Sequence, residues 1–155
     1  MKIGFASDHR GYELKNYLIE ELKKRDYNIV DFGTNSEEST DYPDYAFKLG
    51  NAVANKEVDF GVAICGSGIG ISIACNKVKK VLCAKVDTKE EAKYTRNDNN
   101  ANIVSFGEKM KKEDALDIVL TFINTPFSNL EKHQRRVNKI LEYEELKWKE
   151  NSFYI

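Results

Sequence analysis

The side chains best suited to chemistry fall in four short stretches. The first, Cys65-Gly66-Ser67-Gly68-Ile69-Gly70, follows the apolar run Phe60 to Ile64 and leads into a small-residue helical pattern through Asn76. Strand, glycine turn and helix N-terminus in that order leave backbone N–H groups unpaired at the positive end of a helix, where glycine lets an anion come close. Such a turn can cradle an anion. Cys65 stands at its lip, at the carboxyl end of the strand, where an open parallel sheet takes its ligands. A thiol so placed should have its pKa lowered toward working pH, which suits a nucleophile or a base that abstracts a proton.

The other stretches are Asp8-His9, the run Arg96 to Asn102 containing Asp98 and Asn99, and Lys132-His133-Gln134-Arg135-Arg136. Each has a plain structural reading: an Asp-His pair closes a turn, an Asn-rich run turns the chain, and a basic cluster is a solvated helix face. Lys132 and Arg136 are nevertheless four apart and on a helix would point the same way, an arrangement that grips a phosphate. The chain has 2 histidines, both in these stretches, so a multi-histidine metal centre is not expected. The glycine turn has rival readings. It could serve only to pack strand against helix, or it could bind a nucleotide. The dinucleotide fingerprint, however, belongs on the first strand-helix turn, here Ser7-Asp8-His9-Arg10-Gly11, which lacks the glycine set. Asp87, near the end of a later strand, keeps the nucleotide reading open.

The elements that must hold these residues are legible from hydrophobic period. Strands are expected at Lys2 to Ser7, Asn28 to Phe32, Phe60 to Ile64, Lys80 to Val86 and Asn102 to Phe106. Between them come helical patterns: Leu14, Leu18, Ile19 and Leu22; a helix opened by Pro43 after the polar loop Thr34 to Tyr42; and Thr88 to Arg96, with a Thr cap. Leu116 to Ile123 follow the last strand, stopped by Pro126. Five alternating units predict an α/β domain, a five-stranded parallel sheet with right-handed crossovers. On that fold Asp8, His9, Cys65, Asp87 and the residues near Asp98 are expected to converge at one sheet edge. Residues 129–148 add a helix with Leu130, Val137, Ile140, Leu141, Tyr143, Leu146 and Trp148, more than the layer needs, so it is expected to dock on a second copy of the chain.

Size and composition agree. The chain of 155 residues reads as a single domain over 1–155, and 24 basic against 25 acidic residues leave a net charge of -1, which argues against nucleic acid or an anionic membrane as main partner. No apolar stretch is long enough to span a bilayer, and the first residues are strand-like rather than a signal segment, so a cytoplasmic protein is expected. The cysteines, 3 in number and all in apolar segments, do not suggest a disulfide framework; Cys75 and Cys83 read as small buried hydrophobes.

With these residues in hand, the chain resembles the type B ribose-5-phosphate isomerases and the related galactose-6-phosphate isomerase subunits. The resemblance runs through Ser7-Asp8-His9, Thr40-Asp41-Tyr42-Pro43, the Cys65 to Ser72 stretch, Asn99 to Asn102 and His133 to Val137. It implies a Rossmann-like three-layer α/β sandwich, a homodimer (or a tetramer) with active sites between subunits, no cofactor or metal, and aldose-ketose isomerisation of a phosphorylated sugar such as ribose 5-phosphate. By position, it makes Cys65 the base, and Ser67 with the amides of Gly66, Gly68, Ile69 and Gly70 the oxyanion cradle. Asp8 and Asn99 would contact sugar hydroxyls, His9 and Arg136 the phosphate, and Tyr42 would line the pocket. Three positions depart from the pattern: Asp98 stands where the family carries a ring-opening histidine, and Lys109 and Lys132 stand where it carries phosphate-binding arginines. These departures leave open a weakened sugar-phosphate binder; the shared motif, which does not set pocket shape, leaves open an isomerase of another aldose phosphate such as allose 6-phosphate or galactose 6-phosphate.

Overall fold

The structure is a computed structural model that describes residues 1–152, apart from the side chains of residues 148, 151 and 152. Strands β1 (Lys2–Ser7), β2 (Asn28–Asp31), β3 (Phe60–Cys65), β4 (Cys83–Lys85) and β5 (Ile103–Gly107) form one sheet in the order β2-β1-β3-β5-β4, with every neighbouring pair parallel. Helices α1 (Tyr12–Lys23), α2 (Tyr42–Ala54), α3 (Ile69–Cys75), α4 (Lys89–Asn99) and α5 (Lys112–Asn124) alternate with the strands, and α6 (Glu131–Ser152) follows. Alternation along the strands divides two cores. Ile3, Phe5, Val62, Ile64, Val104 and Phe106 face the apolar stripes of α1 and α5, whereas Ala6, Ala63, Cys65 and Ile103 face α2 and α3. Helices thus cover both faces, as a parallel sheet requires. Among the described residues no helix is long and apolar enough to cross a membrane.

Three boundaries differ from expectation by three residues or more, one of them the end of α6, at residue 152 rather than 148. β4 begins at Cys83 rather than Lys80, because Lys80 takes a left-handed φ of 71° and the Leu82 N–H is held by the Asn102 side chain at 2.9 Å. α4 continues through Asn99, so only Asn100, at φ 52°, makes the turn that the Asn run suggested. Buried Arg96 holds that helix end, donating to the carbonyls of Ala101 at 2.6 Å and Thr125 at 3.2 Å while its guanidinium lies 4.6 Å from the centre of the Phe60 ring.

α6 turns Val137 into its own chain and is tied down by Glu145 on Lys79 at 2.7 Å. Leu130, Ile140, Tyr143 and Leu146 of this segment remain exposed; the side chain of Trp148 lies outside the described residues. One polar contact braces the sheet edge. The wholly buried Lys15 ammonium on α1 meets both oxygens of Asp31 on β2 at 2.7 Å. Asp31→Ala would strand that charge, and urea denaturation should register a loss of about 2 kcal/mol, discounted for the partial exposure of Asp31. An unchanged midpoint would show that water reaches the ammonium.

Candidate active site

β1 sits between β2 and β3, so the chain leaves β1 in one direction and returns on its other side. Loops after β1 and β3 therefore part, and their carboxyl ends frame a crevice. An open cleft of about 750 Å³ lies there, walled by the β3–α3 turn with Cys65, Gly66, Ser67 and Gly70, by Asp8 and Arg10 after β1, and by Tyr42 and Lys109.

Cys65 is 4% exposed, and its Sγ accepts a hydrogen bond from the Gly68 N–H at 3.2 Å. Gly68 reaches this position at φ 79°, with the Phe106 carbonyl carbon only 2.5 Å from where a Cβ would stand, so no other residue could present that amide without moving β5. The Ser67 hydroxyl oxygen accepts from the Ile69 N–H at 3.1 Å, which leaves its own proton to donate outward. The amides of Gly68 and Ile69 are thus engaged by the protein. Those of Gly66, Ser67 and Gly70 have no partner among the described residues, and the anion cradle is narrower than the Gly66 to Gly70 run suggested. The Tyr42 ring covers Gly70: a Cβ there would stand 2.6 Å from its Cζ.

Asp8, nearly buried, spends one carboxylate oxygen on the turn, accepting from the N–H groups of Arg10 at 3.0 Å and Gly11 at 3.1 Å. The structural reading of Asp8 holds for that oxygen. His9 accepts the Thr40 N–H on Nδ1 at 3.2 Å, so its neutral ring carries the proton on Nε2, as a donor. Cys75 is inert by comparison: the adjoining Cys83 thiol, and after it burial, push its own thiol well above the usual range.

Asp98, Asn99, Lys132 and Arg136 do not join this cleft within one chain. α4 returns antiparallel to the strands, so its last turn sits at the amino edge of the sheet, opposite Cys65, and α6 starts from that same edge. The expected convergence of the Asp98 region with Asp8 and Cys65 is therefore corrected. Asp98 Oδ1 accepts from Asn97 Nδ2 at 2.7 Å and lies 3.8 Å from His133 Nε2, while His133 Nδ1 is 2.7 Å from Ser128 Oγ. Asp87 also stands apart. Its strand β4 is separated from β3 by β5, and it binds Lys85 at 2.6 Å and, through its N–H, Glu91 of the α4 capping box at 2.6 Å. That engagement removes the support it lent to a nucleotide site.

Arg10 and His133 are the residues that sequence reasoning did not single out; nothing but their nearness to Asp8 and to the Lys132–Arg136 pair could have marked them. Among the described residues, no three His, Cys, Asp or Glu side chains are grouped to hold a metal ion.

Known proteins resemble the chain in sequence and in backbone. Residues 3–140 match the family described as Ribose/Galactose Isomerase. A putative sugar phosphate isomerase of Bacillus subtilis is 40% identical over 147 residues, covering 94% of this chain and 98% of that protein. The structure of Clostridium thermocellum ribose-5-phosphate isomerase B superposes with a TM-score of 0.92 at 45% identity, covering 95% of this chain and 99% of the other. That of Mycoplasma genitalium ribose-5-phosphate isomerase B, with bound ribulose 5-phosphate, gives 0.87 at 39% identity over 93% and 96% of the two chains. Matched nearly end to end in sequence and in backbone, the chain belongs to the ribose/galactose isomerase family.

Proposed function

We propose that the chain interconverts ribose 5-phosphate and ribulose 5-phosphate through an enediolate, with Cys65 as the base. The observation that carries this reading is the near-buried Sγ at the mouth of the cleft, 3.2 Å from the Gly68 amide and beside the unpartnered amides of Gly66, Ser67 and Gly70. The thiolate takes the C2 proton of the open-chain aldose and the electron pair moves onto the C1 carbonyl oxygen; the C2 hydroxyl proton then passes to that oxygen, and the thiol returns its proton to C1 as the C2 oxyanion closes to the carbonyl of the ketose. Ser67 and the free amides hold the negative charge that appears on oxygen. Support for the substrate comes from relatives named ribose-5-phosphate isomerase B, one of them with ribulose 5-phosphate bound.

The functional unit we propose is a homodimer, acting in the cytoplasm on a phosphorylated sugar. A second copy that lays its amino edge against this cleft brings Asp98, Asn99, Lys132 and Arg136 to Cys65, Asp8 and His9. Asn99 and Asp8 then hold hydroxyls, and His9 Nε2–H, Arg136, Lys132 and Lys109 hold the phosphate. Asp98 accepts the anomeric hydroxyl proton as the C1 bond to the ring oxygen breaks and returns that proton to the freed oxygen, with His133 Nε2 3.8 Å from its carboxylate. Ile69 and Ile73, one turn apart on α3 beside the cleft and 54% and 57% exposed, supply apolar surface for such a copy to cover, as does α6.

The purified chain is expected to convert ribose 5-phosphate to ketose and to be stabilised thermally by that sugar phosphate but not by NAD or ATP. Calorimetric binding without turnover would favour the weakened binder that Asp98, Lys109 and Lys132 leave open, and faster turnover of a hexose 6-phosphate would move the substrate to a longer aldose.

A further inference from the structure

The guanidinium of Arg10, paired with the Glu108 carboxylate, lines the cleft, and the reaction as assigned above gives it no task. Its backbone N–H donates to Asp8 Oδ1 at 3.0 Å, and its Nε donates to Glu108 Oε1 at 2.8 Å, joined there by Nη2. The remaining nitrogen, Nη1, is not engaged by Glu108, and the guanidinium lies flat across the β3–α3 turn at the cleft: a Cβ on Gly66 would stand 3.0 Å from Nη1, 3.1 Å from Cζ and 3.2 Å from Nε. A side chain at position 66 would press on that guanidinium and shift it. Glu108, which aims the fork, is itself pinned to the site, its N–H donating to the Cys65 carbonyl at 3.0 Å. The ion pair thus joins the turn after β1, which carries Asp8, to the loop after β5, whose Glu108 N–H is held by the turn that carries Cys65.

We infer that Arg10 is a catalytic residue of this isomerase, donating from Nη1 to the enediolate oxygen next to the amides of Gly66 and Ser67, with Glu108 as the residue that positions it. This rests on the isomerase reading. Amides bring partial charges to the cradle, and the enediolate carries a whole one. A guanidinium held in place before the reaction gains interaction energy as that charge develops, with no reorganisation at that moment. Because it meets charge that appears only after the C2 proton leaves, Arg10 acts on the rate of the chemical step more than on the capture of substrate.

Arg10→Gln is expected to lower kcat for ribose 5-phosphate by about 100-fold with KM changed less than about 3-fold, as for the loss of one oxyanion donor. It should weaken binding of a phosphorylated hydroxamate, a stable mimic of the enediolate, by a similar factor. Glu108→Gln should lower kcat by a smaller factor, about 10-fold, again at nearly constant KM. The ion pair is solvent-exposed on the Arg10 side, so both variants should fold and melt close to the unsubstituted protein. A raised KM at unchanged kcat would make Arg10 a ground-state contact to the substrate, and unchanged kinetics would make it a surface ion pair; either result overturns the inference while the isomerase reading stands. If the unsubstituted protein shows no turnover, that reading falls and this one with it.

Discussion

Cys65→Ala should lower kcat for ribose 5-phosphate by about a thousandfold, the range a positioned proton-transfer group supplies, with KM little altered. The substitution removes one sulfur from a position already 4% exposed and leaves Gly68 φ, the Ser67 cap on Ile69 and the β3–β5 pairing in place, so circular dichroism and melting should report a folded protein. Ribulose 5-phosphate in deuterated water offers a second readout. Wild-type protein should exchange a C1 proton with solvent, because that exchange needs only the base and the cradle, whereas Cys65→Ala should not. Activity that survived the substitution would take the sulfur out of the mechanism and shift attention to Asp8, the other nearly buried acid-base group of the cleft.

Arg136→Ala is expected to be inactive on its own, having lost a phosphate contact, yet mixing it with inactive Cys65→Ala should restore activity. In a dimer whose sites each draw on both chains, a mixed pair has one site damaged twice and one site untouched. Random pairing of equal amounts then gives about a quarter of wild-type activity, a consequence of twofold closure that needs no fitted parameter. Co-refolding the two variants and assaying the mixture checks it, with sedimentation separating dimer from tetramer. No recovery from properly paired chains would mean that all the working groups come from one chain. Asp98, Asn99, Lys132 and Arg136 would then be surface residues of the amino edge.

Much was legible before folding. The β3–α3 turn declares itself because its chemistry is local: an apolar run ends at Cys65, glycines follow, and Gly68 alone can take the positive φ that aims an amide at the sulfur. Element order was legible for the same reason, since strand and helix periods are properties of a few consecutive residues. Even the misjudged helix end at Asn99 was a local error, made because burial of Arg96 against Phe60 is not written in the Asn run beside it.

What lies between elements was not legible. Pairing β3 with β5 rather than β4 puts Asp87 away from the cleft, and the antiparallel return of α4 carries Asp98 and Asn99 to the far edge. Arg10 meets Glu108 across 98 positions, and that contact holds its guanidinium across Gly66 at the cleft. Sequence by itself therefore determined which residues could do chemistry and which turn would hold the thiol, because covalent neighbours and backbone dihedrals act at short range. Only the tertiary structure decided which of them share an edge, because strand order and long-range ion pairs depend on how distant surfaces bury one another.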